Sequence, residues 1–167
     1  MPSTKSEISR LIAKYSPRVA SELRIARSEV RALFPRGYEL VYDNYNALGF
    51  GFSTTSRASD VVVSVVAYPQ WVTLFFFHGT RLPDPGGILQ GSGSRIRSLR
   101  LVPPSLLRSR PVKALLRQAI AQVRDELAVA PAISTIIKSV SARQRPRRPP
   151  ANSARKRTTA RQAPRAD

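Results

Sequence analysis

The sequence predicts one α+β domain in which helices cover one face of an antiparallel sheet. Three observations lead to this prediction. The 167 residues are the usual size of one domain, and 42% of them are hydrophobic, which suffices for one core. Apolar residues recur at helical spacing near the start of the chain and again after Pro111. Between these segments lie short runs rich in Val, Tyr, Phe and Thr, which favour strands.

Two helices are predicted before Pro35. Ser6 is expected to cap a short helix that extends to about Lys14, and Ser16-Pro17 repeats the start signal of a capping hydroxyl followed by proline. The second helix has an apolar stripe that needs a core. The stripe consists of Val19, Leu23, Ala26, Val30 and Leu33.

About five strands are predicted in the middle of the chain, and the last of them is expected at an edge of the sheet. The ranges are 39–45, 47–53, 60–68, 71–78 and 95–101. Pro69 lies between the third and fourth ranges, where a type I turn requires its fixed φ. These segments therefore predict an antiparallel meander.

A C-terminal helix starting near Pro111 is expected to pack on the sheet, because it has the longest amphipathic pattern in the chain. That pattern comprises Val112, Leu115, Leu116, Ala119, Ile120, Val123 and Leu127. Pro131 breaks it. One further apolar stripe follows, formed by Ile133, Ile136, Ile137 and Val140.

The positive charge is divided between a folded domain, residues 1–137, and a disordered Arg/Pro-rich basic tail, residues 138–167. Twenty-eight Lys and Arg against ten Asp and Glu give a formal net charge of +18, and half of the excess lies in the tail. A tail of this composition cannot bury a core and is expected to stay extended. The basic residues expected to contact nucleic acid or another polyanion are Arg143, Arg145, Arg147, Arg148, Arg155, Lys156, Arg157 and Arg161. A solvated tail with no partner fits the composition equally well.

Several function classes are excluded by composition. The chain has no cysteine and one histidine, His78, so thiolate catalysis, Cys-based zinc sites and multi-His metal sites are excluded. We expect no cofactor. The first 14 residues have no apolar signal segment, and the apolar range 61–77 is interrupted by Pro69-Gln70, so a cytoplasmic protein without membrane contact is expected.

Three motifs, in this order, resemble the YdhG-like family. They are Glu39 to Leu48 (ELVYDNYNAL), Tyr68 to Phe76 (YPQWVTLFF), and Gly79 to Pro85 (GTRLPDP) followed by Leu89-Gln-Gly91-Ser92-Gly93. The resemblance covers about residues 5–125. It implies a bacterial domain of unknown function with a frataxin-like fold, and some members of the family are labelled iron chaperones.

Two features differ from the family pattern. Ser94 stands where a lysine often follows the Gly-x-Gly motif. Frataxin-type iron binding uses a dense acidic ridge, whereas the range 5–31 has seven Lys and Arg against three Glu. We therefore do not expect this chain to share the iron-handling function with which some family members are labelled.

The glycine-rich loop before the fifth strand is a candidate anion site. Gly91, Ser92 and Gly93 would present backbone N–H groups and a hydroxyl, and Arg95 would supply positive charge. Alternatively, the glycines only allow a long connection to adopt positive φ values, and we favour this structural interpretation.

Other candidate side chains have simpler structural interpretations. His78 and Asp84 are the one histidine–carboxylate pair close in sequence, but a polar strand end and a turn former explain them. Four aromatic residues are compatible with a pocket for a planar ligand, although strand aromatics usually belong to a core. These residues are Tyr42, Tyr45, Tyr68 and Trp71.

The sequence thus favours a non-enzymatic YdhG-like binding module for a small ligand or a protein, whose basic tail contacts nucleic acid non-specifically. The alternative is a metal-handling (iron) protein or an enzyme with a site in the 79–95 loop.

Overall fold

The computed structural model describes residues 1–149, which form four α-helices and a six-stranded mixed sheet. The helices are α1 (Thr4–Ile12), α2 (Pro17–Ala32), α3 (Arg110–Ala121) and α4 (Arg124–Ala128). The strands are β1 (Tyr38–Asp43), β2 (Leu48–Ser53), β3 (Val61–Ala67), β4 (Val72–Phe76), β5 (Arg97–Arg100) and β6 (Ser134–Val140). The predicted α+β class is confirmed.

The sheet has the strand order β5-β4-β3-β2-β1-β6. The first five strands form the predicted antiparallel meander, and the hairpin between β3 and β4 is closed by the backbone N–H of Tyr68, which donates to the carbonyl of Trp71 at 2.9 Å. Strand β6 pairs with β1 in the parallel direction.

The long helices cover one face of the sheet because their apolar stripes pack there. Helix α2 contacts β3 and β4, and α3 contacts β3. Ser16 Oγ accepts the backbone N–H of Val19 at 3.3 Å, so the predicted start of α2 is confirmed. In α1 the capping residue is Ser3 rather than Ser6, whose N–H donates to Ser3 Oγ at 3.2 Å.

The sixth strand corrects the predicted end of the domain. Residues 138–140, assigned to a disordered tail, belong to β6, in which Ser139 and Val140 pair with the end of β1. Leu40 and Val41 in the middle of β1 are fully buried. Their outward backbone groups need hydrogen-bond partners, and β6 supplies them. The stripe from Ile133 to Val140 therefore extends the sheet.

Residues 141–149, which we call the C-terminal strap, also lie against the domain. The backbone N–H groups of Ser141 and Arg145 donate to the carbonyls of Asp43 and Tyr45, each at 2.8 Å. Arg147 is only 4% exposed and donates to Asp43 Oδ1 at 2.8 Å. The disordered-tail prediction is thus wrong for the strap, because a buried carboxylate attracts its arginine. Arg155, Lys156, Arg157 and Arg161 lie outside the described residues.

The remaining helical region differs slightly from the sequence pattern. The predicted continuous helix is interrupted between Ala121 and Arg124, and α4 ends at Ala128, before Pro131. Across residues 1–149 the structure contains no helix with both the length and the apolar character required to cross a bilayer.

Candidate functional site

The sheet face opposite the helices holds an open groove of about 550 Å³. Side chains alternate along each strand, so Phe50 and Phe52 of β2 point into the core whereas Gly49 lines the groove. In β4, Leu74 and Phe76 likewise belong to the core. The alternation therefore gives this sheet one face packed against helices and one face available for a ligand.

Two glycines lower the floor of this face along β2. A Cβ atom on Gly51 would lie 3.1 Å from Ser64 Oγ and from a methyl carbon of Val61, which is a tight contact. On Gly49 the nearest atom would be a methyl carbon of Val66 at 3.6 Å, an ordinary van der Waals distance. The absence of side chains at these positions makes the face concave.

Aromatic rings form the walls of the groove. They belong to Tyr42, Tyr45, Tyr68, Phe75 and Phe77. Tyr45 is 45% exposed, so a large part of its surface is accessible to a ligand. Flat rings around a concave floor favour a planar or aromatic ligand.

Tyr42 adds an unsatisfied polar atom to the groove. Its hydroxyl is buried and has no hydrogen-bond partner among residues 1–149. Burial raises the pKa of Tyr42 above its ordinary value of 10.0, so the hydroxyl stays protonated at neutral pH. An unpaired buried hydroxyl costs about 1–3 kcal/mol.

The rim of the groove is positively charged. The guanidinium of Arg145 lies 5.7 Å from the ring centroid of Tyr45, within cation–π range. A second cleft of about 430 Å³ shares Ala58, Phe77 and Ile96 with the groove and is lined by Arg95. Within residues 1–149, no acidic side chain lines either cleft. The surface is therefore complementary to an anion bearing aromatic groups.

The predicted glycine-rich loop contributes only part of its residues to this surface. Gly93 and Arg95 line the second cleft, whereas Gly91 and Ser92 line neither cleft. Gly91 has a φ of 129°, so it fits the interpretation as a connection that requires positive φ. The carbonyl of Gly93 accepts a hydrogen bond from Arg97 Nη1 at 2.6 Å, which fixes the loop to β5.

His78 and Asp84 are not joined by a hydrogen bond in the described part of the chain. The carboxylate of Asp84 accepts the backbone N–H groups of Ile88 at 3.1 Å and Leu89 at 2.9 Å, as expected of a turn former. Burial, together with the charges of Arg95 and Arg81, lowers the pKa of His78. No group of three or more His, Cys, Asp or Glu in residues 1–149 is arranged to hold a metal ion.

Three of the four aromatic residues suggested by the sequence meet in the groove, namely Tyr42, Tyr45 and Tyr68. Trp71 does not line it, and its ring lies 3.7 Å from the guanidinium of Arg100. Sequence reasoning missed Phe75, although the alternation of buried and partly exposed residues along β4 was the available signal.

The four described arginines of the strap differ in their surroundings. Arg143 and Arg145 are exposed, and Arg148 is exposed with one hydrogen bond to the carbonyl of Ala13 at 3.3 Å. Arg147 is enclosed by Asp43, the Asn44 and Tyr45 carbonyls and the Tyr15 ring. Three of the four can therefore reach a polyanion, and Arg147 cannot.

Comparison of the chain with protein-family models, with curated proteins and with solved structures finds no match. The resemblance to the YdhG-like family and to the frataxin-like fold accordingly remains a prediction from the motifs.

Proposed function

We propose that the protein is a non-enzymatic, YdhG-like binding module for single-stranded nucleic acid. Bases stack in the aromatic groove on the open sheet face, while arginines of the rim, the strap and the following tail contact phosphates. The observation that carries this proposal is the position of Arg145 beside the exposed ring of Tyr45. It joins a cationic side chain to a stacking surface at the edge of the groove.

The aromatic rings support binding to unpaired bases. Stacking of a base on an aromatic side chain contributes about 1–3 kcal/mol and tolerates any base, because every base has a π-face. In a duplex these faces are covered by neighbouring base pairs, so the groove favours a single strand.

The charge distribution supports contact with the phosphates. Arg95 lines one of the two clefts on this face, and Arg145 lies beside Tyr45 at the rim of the groove. Among the described residues, no acidic side chain lines either cleft. The strap leaves β6 and passes the Tyr45 end of the groove, where the backbone N–H of Arg145 donates to the Tyr45 carbonyl. The sequence that follows the strap includes Arg155, Lys156, Arg157 and Arg161. Counterion release from the phosphates would make their contribution strongly dependent on salt.

Metal handling or catalysis in the 79–95 loop has less support. The carboxylate of Asp84 is occupied by two backbone N–H groups. The nearby charges of Arg81 and Arg95 oppose a metal cation as well as protonation of His78.

Fluorescence anisotropy with a labelled oligonucleotide of about 16 nucleotides, at about 50 mM salt, tests the proposal. We expect tighter binding to the single strand than to the duplex of the same sequence. Tyr45→Ala should weaken single-strand binding about tenfold. Ile25→Ala is the control, because Ile25 on α2 has a similar exposure of 48% and lies on the other side of the sheet. Equal affinities of these two variants would contradict stacking on the groove.

The tail has its own variant, in which Arg155, Lys156, Arg157 and Arg161 are all changed to Gln. Each lost phosphate contact should reduce the slope of log K against log salt by about 0.7. The preference for single strands should remain, because the groove is intact. An unchanged salt slope would contradict phosphate contact by the tail.

A further inference from the structure

A third cleft, of about 550 Å³, lies on the helical side of the domain, between α1, α2 and β6. It shares no lining residue with the aromatic groove. Four cationic side chains line it, namely Lys5, Arg24, Arg27 and Arg31.

Two of the arginines are held in place by one buried carboxylate. Glu39 of β1 is fully buried, and its two oxygens accept hydrogen bonds from Arg27 Nε at 2.7 Å and Arg31 Nε at 2.8 Å. Both arginines bind Glu39 through Nε, and both line the cleft. Arg31 Nη2 also donates to Thr135 Oγ1, and the Arg27 guanidinium lies 4.9 Å from the ring centroid of Phe50. Buried pairing of this kind fixes the guanidinium groups before a ligand arrives, which lowers the entropy cost of binding.

The charge in the cleft is not balanced. Glu39 neutralises one of the four cations, which leaves three positive charges. Among the described residues, neither Lys5 nor Arg24 has an ion-pair partner. Positive charges gathered in one concave site repel one another, so an anion that enters the cleft is favoured.

The remaining lining residues fit a phosphorylated molecule. Hydroxyls of Ser28 and Thr135 can donate to phosphate oxygens, and Arg31 Nη2 lies 3.5 Å from Thr135 Oγ1. Ile8 and Ile12 provide an apolar wall for the organic part of a ligand. We propose that this cleft binds the phosphate group of a small phosphorylated ligand, with the cations and hydroxyls enclosing the phosphate oxygens.

Isothermal titration of the full chain with inorganic phosphate tests the proposal. We expect one saturable site per chain. The double variant Lys5→Gln/Arg24→Gln should bind phosphate at least about tenfold more weakly, because each charged hydrogen bond to an anion contributes about 1.5–3 kcal/mol. Both side chains are exposed and have no acidic partner, so the variant should fold normally.

The control is Arg10→Gln/Lys113→Gln, which removes the same two charge types from exposed positions outside the cleft. It should keep the wild-type affinity within about twofold. A second variant, Ser28→Phe, fills the cleft without changing its charge and should also abolish saturable binding. The proposal is overturned if wild type shows no saturable site, if the control loses as much affinity as the double variant, or if Ser28→Phe binds like wild type.

Discussion

Arg147→Ala tests whether the strap is an integral part of the domain. Arg147 donates to Asp43 Oδ1 at 2.8 Å, to the carbonyl of Tyr45 at 3.2 Å and to the carbonyl of Asn44, and its guanidinium lies 5.8 Å from the ring of Tyr15. A hydrogen bond between charged groups contributes about 1.5–3 kcal/mol, and a cation–π contact adds about 0.5–1 kcal/mol. Asp43 would keep Lys14, at 2.8 Å, as a partner, so the full penalty of an unpaired buried charge does not apply.

We therefore expect Arg147→Ala to lower the free energy of unfolding by about 3 kcal/mol. For a chain of this size, that corresponds to a decrease in Tm of about 6–12 °C. Circular dichroism melting at neutral pH measures it. Hydrogen exchange adds a local readout, because the amides of Ser141 and Arg145, which pair with the Asp43 and Tyr45 carbonyls, should exchange faster.

Arg148→Ala is the matched control, because Arg148 is exposed and makes one hydrogen bond, to the carbonyl of Ala13. Its free energy of unfolding should change by about 0.5 kcal/mol or less. If Arg147→Ala melts within about 2 °C of Arg148→Ala, the strap contributes no stability and the reasoning is refuted.

Three further predictions concern the fold. Burial alone would raise the pKa of Asp43, but hydrogen bonds from its partners hold this pKa below its ordinary value of 3.8. The ionised carboxylate therefore stabilises the folded state above that pH, and this stabilisation is lost as the pH falls through the pKa of the folded state. The Tm difference between wild type and Asp43→Asn, measured by thermal melting, should therefore shrink between pH 7 and about pH 3. Tyr15→Phe should cost about 1–3 kcal/mol in a urea titration, because the hydroxyl accepts the buried N–H of Leu48 at 3.0 Å. Gly79→Ala should strongly reduce the soluble folded fraction, because a Cβ there would lie 2.8 Å from a backbone nitrogen of β5; normal solubility would contradict this packing.

Local patterns predicted most of the fold. The spacing of the stripe on α2 predicts one apolar helical face, and its first four members, Val19, Leu23, Ala26 and Val30, are buried as that requires. The fifth member, Leu33, follows the last residue of α2 and is 39% exposed. The strands β1 to β4 follow from alternation and turn residues, since each pairs with its neighbour in sequence through a short connection.

Strand β6 was not predicted because its pairing is not local. It joins β1 in parallel after roughly 90 intervening residues, and Lys138 interrupts its apolar pattern. Parallel neighbours need a long crossover, so no turn motif marks them in the sequence. The strap was not predicted for the same reason, because Arg147 pairs with Asp43 of β1, which is distant in sequence.

The candidate groove was predictable only in part. Aromatic strand residues suggested a pocket, and Tyr42, Tyr45 and Tyr68 meet there. Which face of the sheet stays uncovered depends on where the helices pack, and the local sequence pattern does not specify that. Trp71 was therefore grouped with the groove residues, whereas its ring packs against Arg100. The sequence did not predict the low floor at Gly49, because glycine within a strand usually indicates only weaker strand propensity.

The most direct test of nucleic-acid binding on the open sheet face is the affinity of Gly49→Val for a labelled single strand. The new Cβ would lie 3.6 Å from Val66, so valine is tolerated in the strand while its methyl groups fill the groove. Gly86→Val is the control, since its Cβ would also have its nearest neighbour at 3.6 Å and Gly86 lies outside the groove. The proposal predicts at least about tenfold weaker binding for Gly49→Val, with unchanged Tm and a control that binds like wild type. A folded Gly49→Val variant that binds the single strand as tightly as Gly86→Val would contradict it.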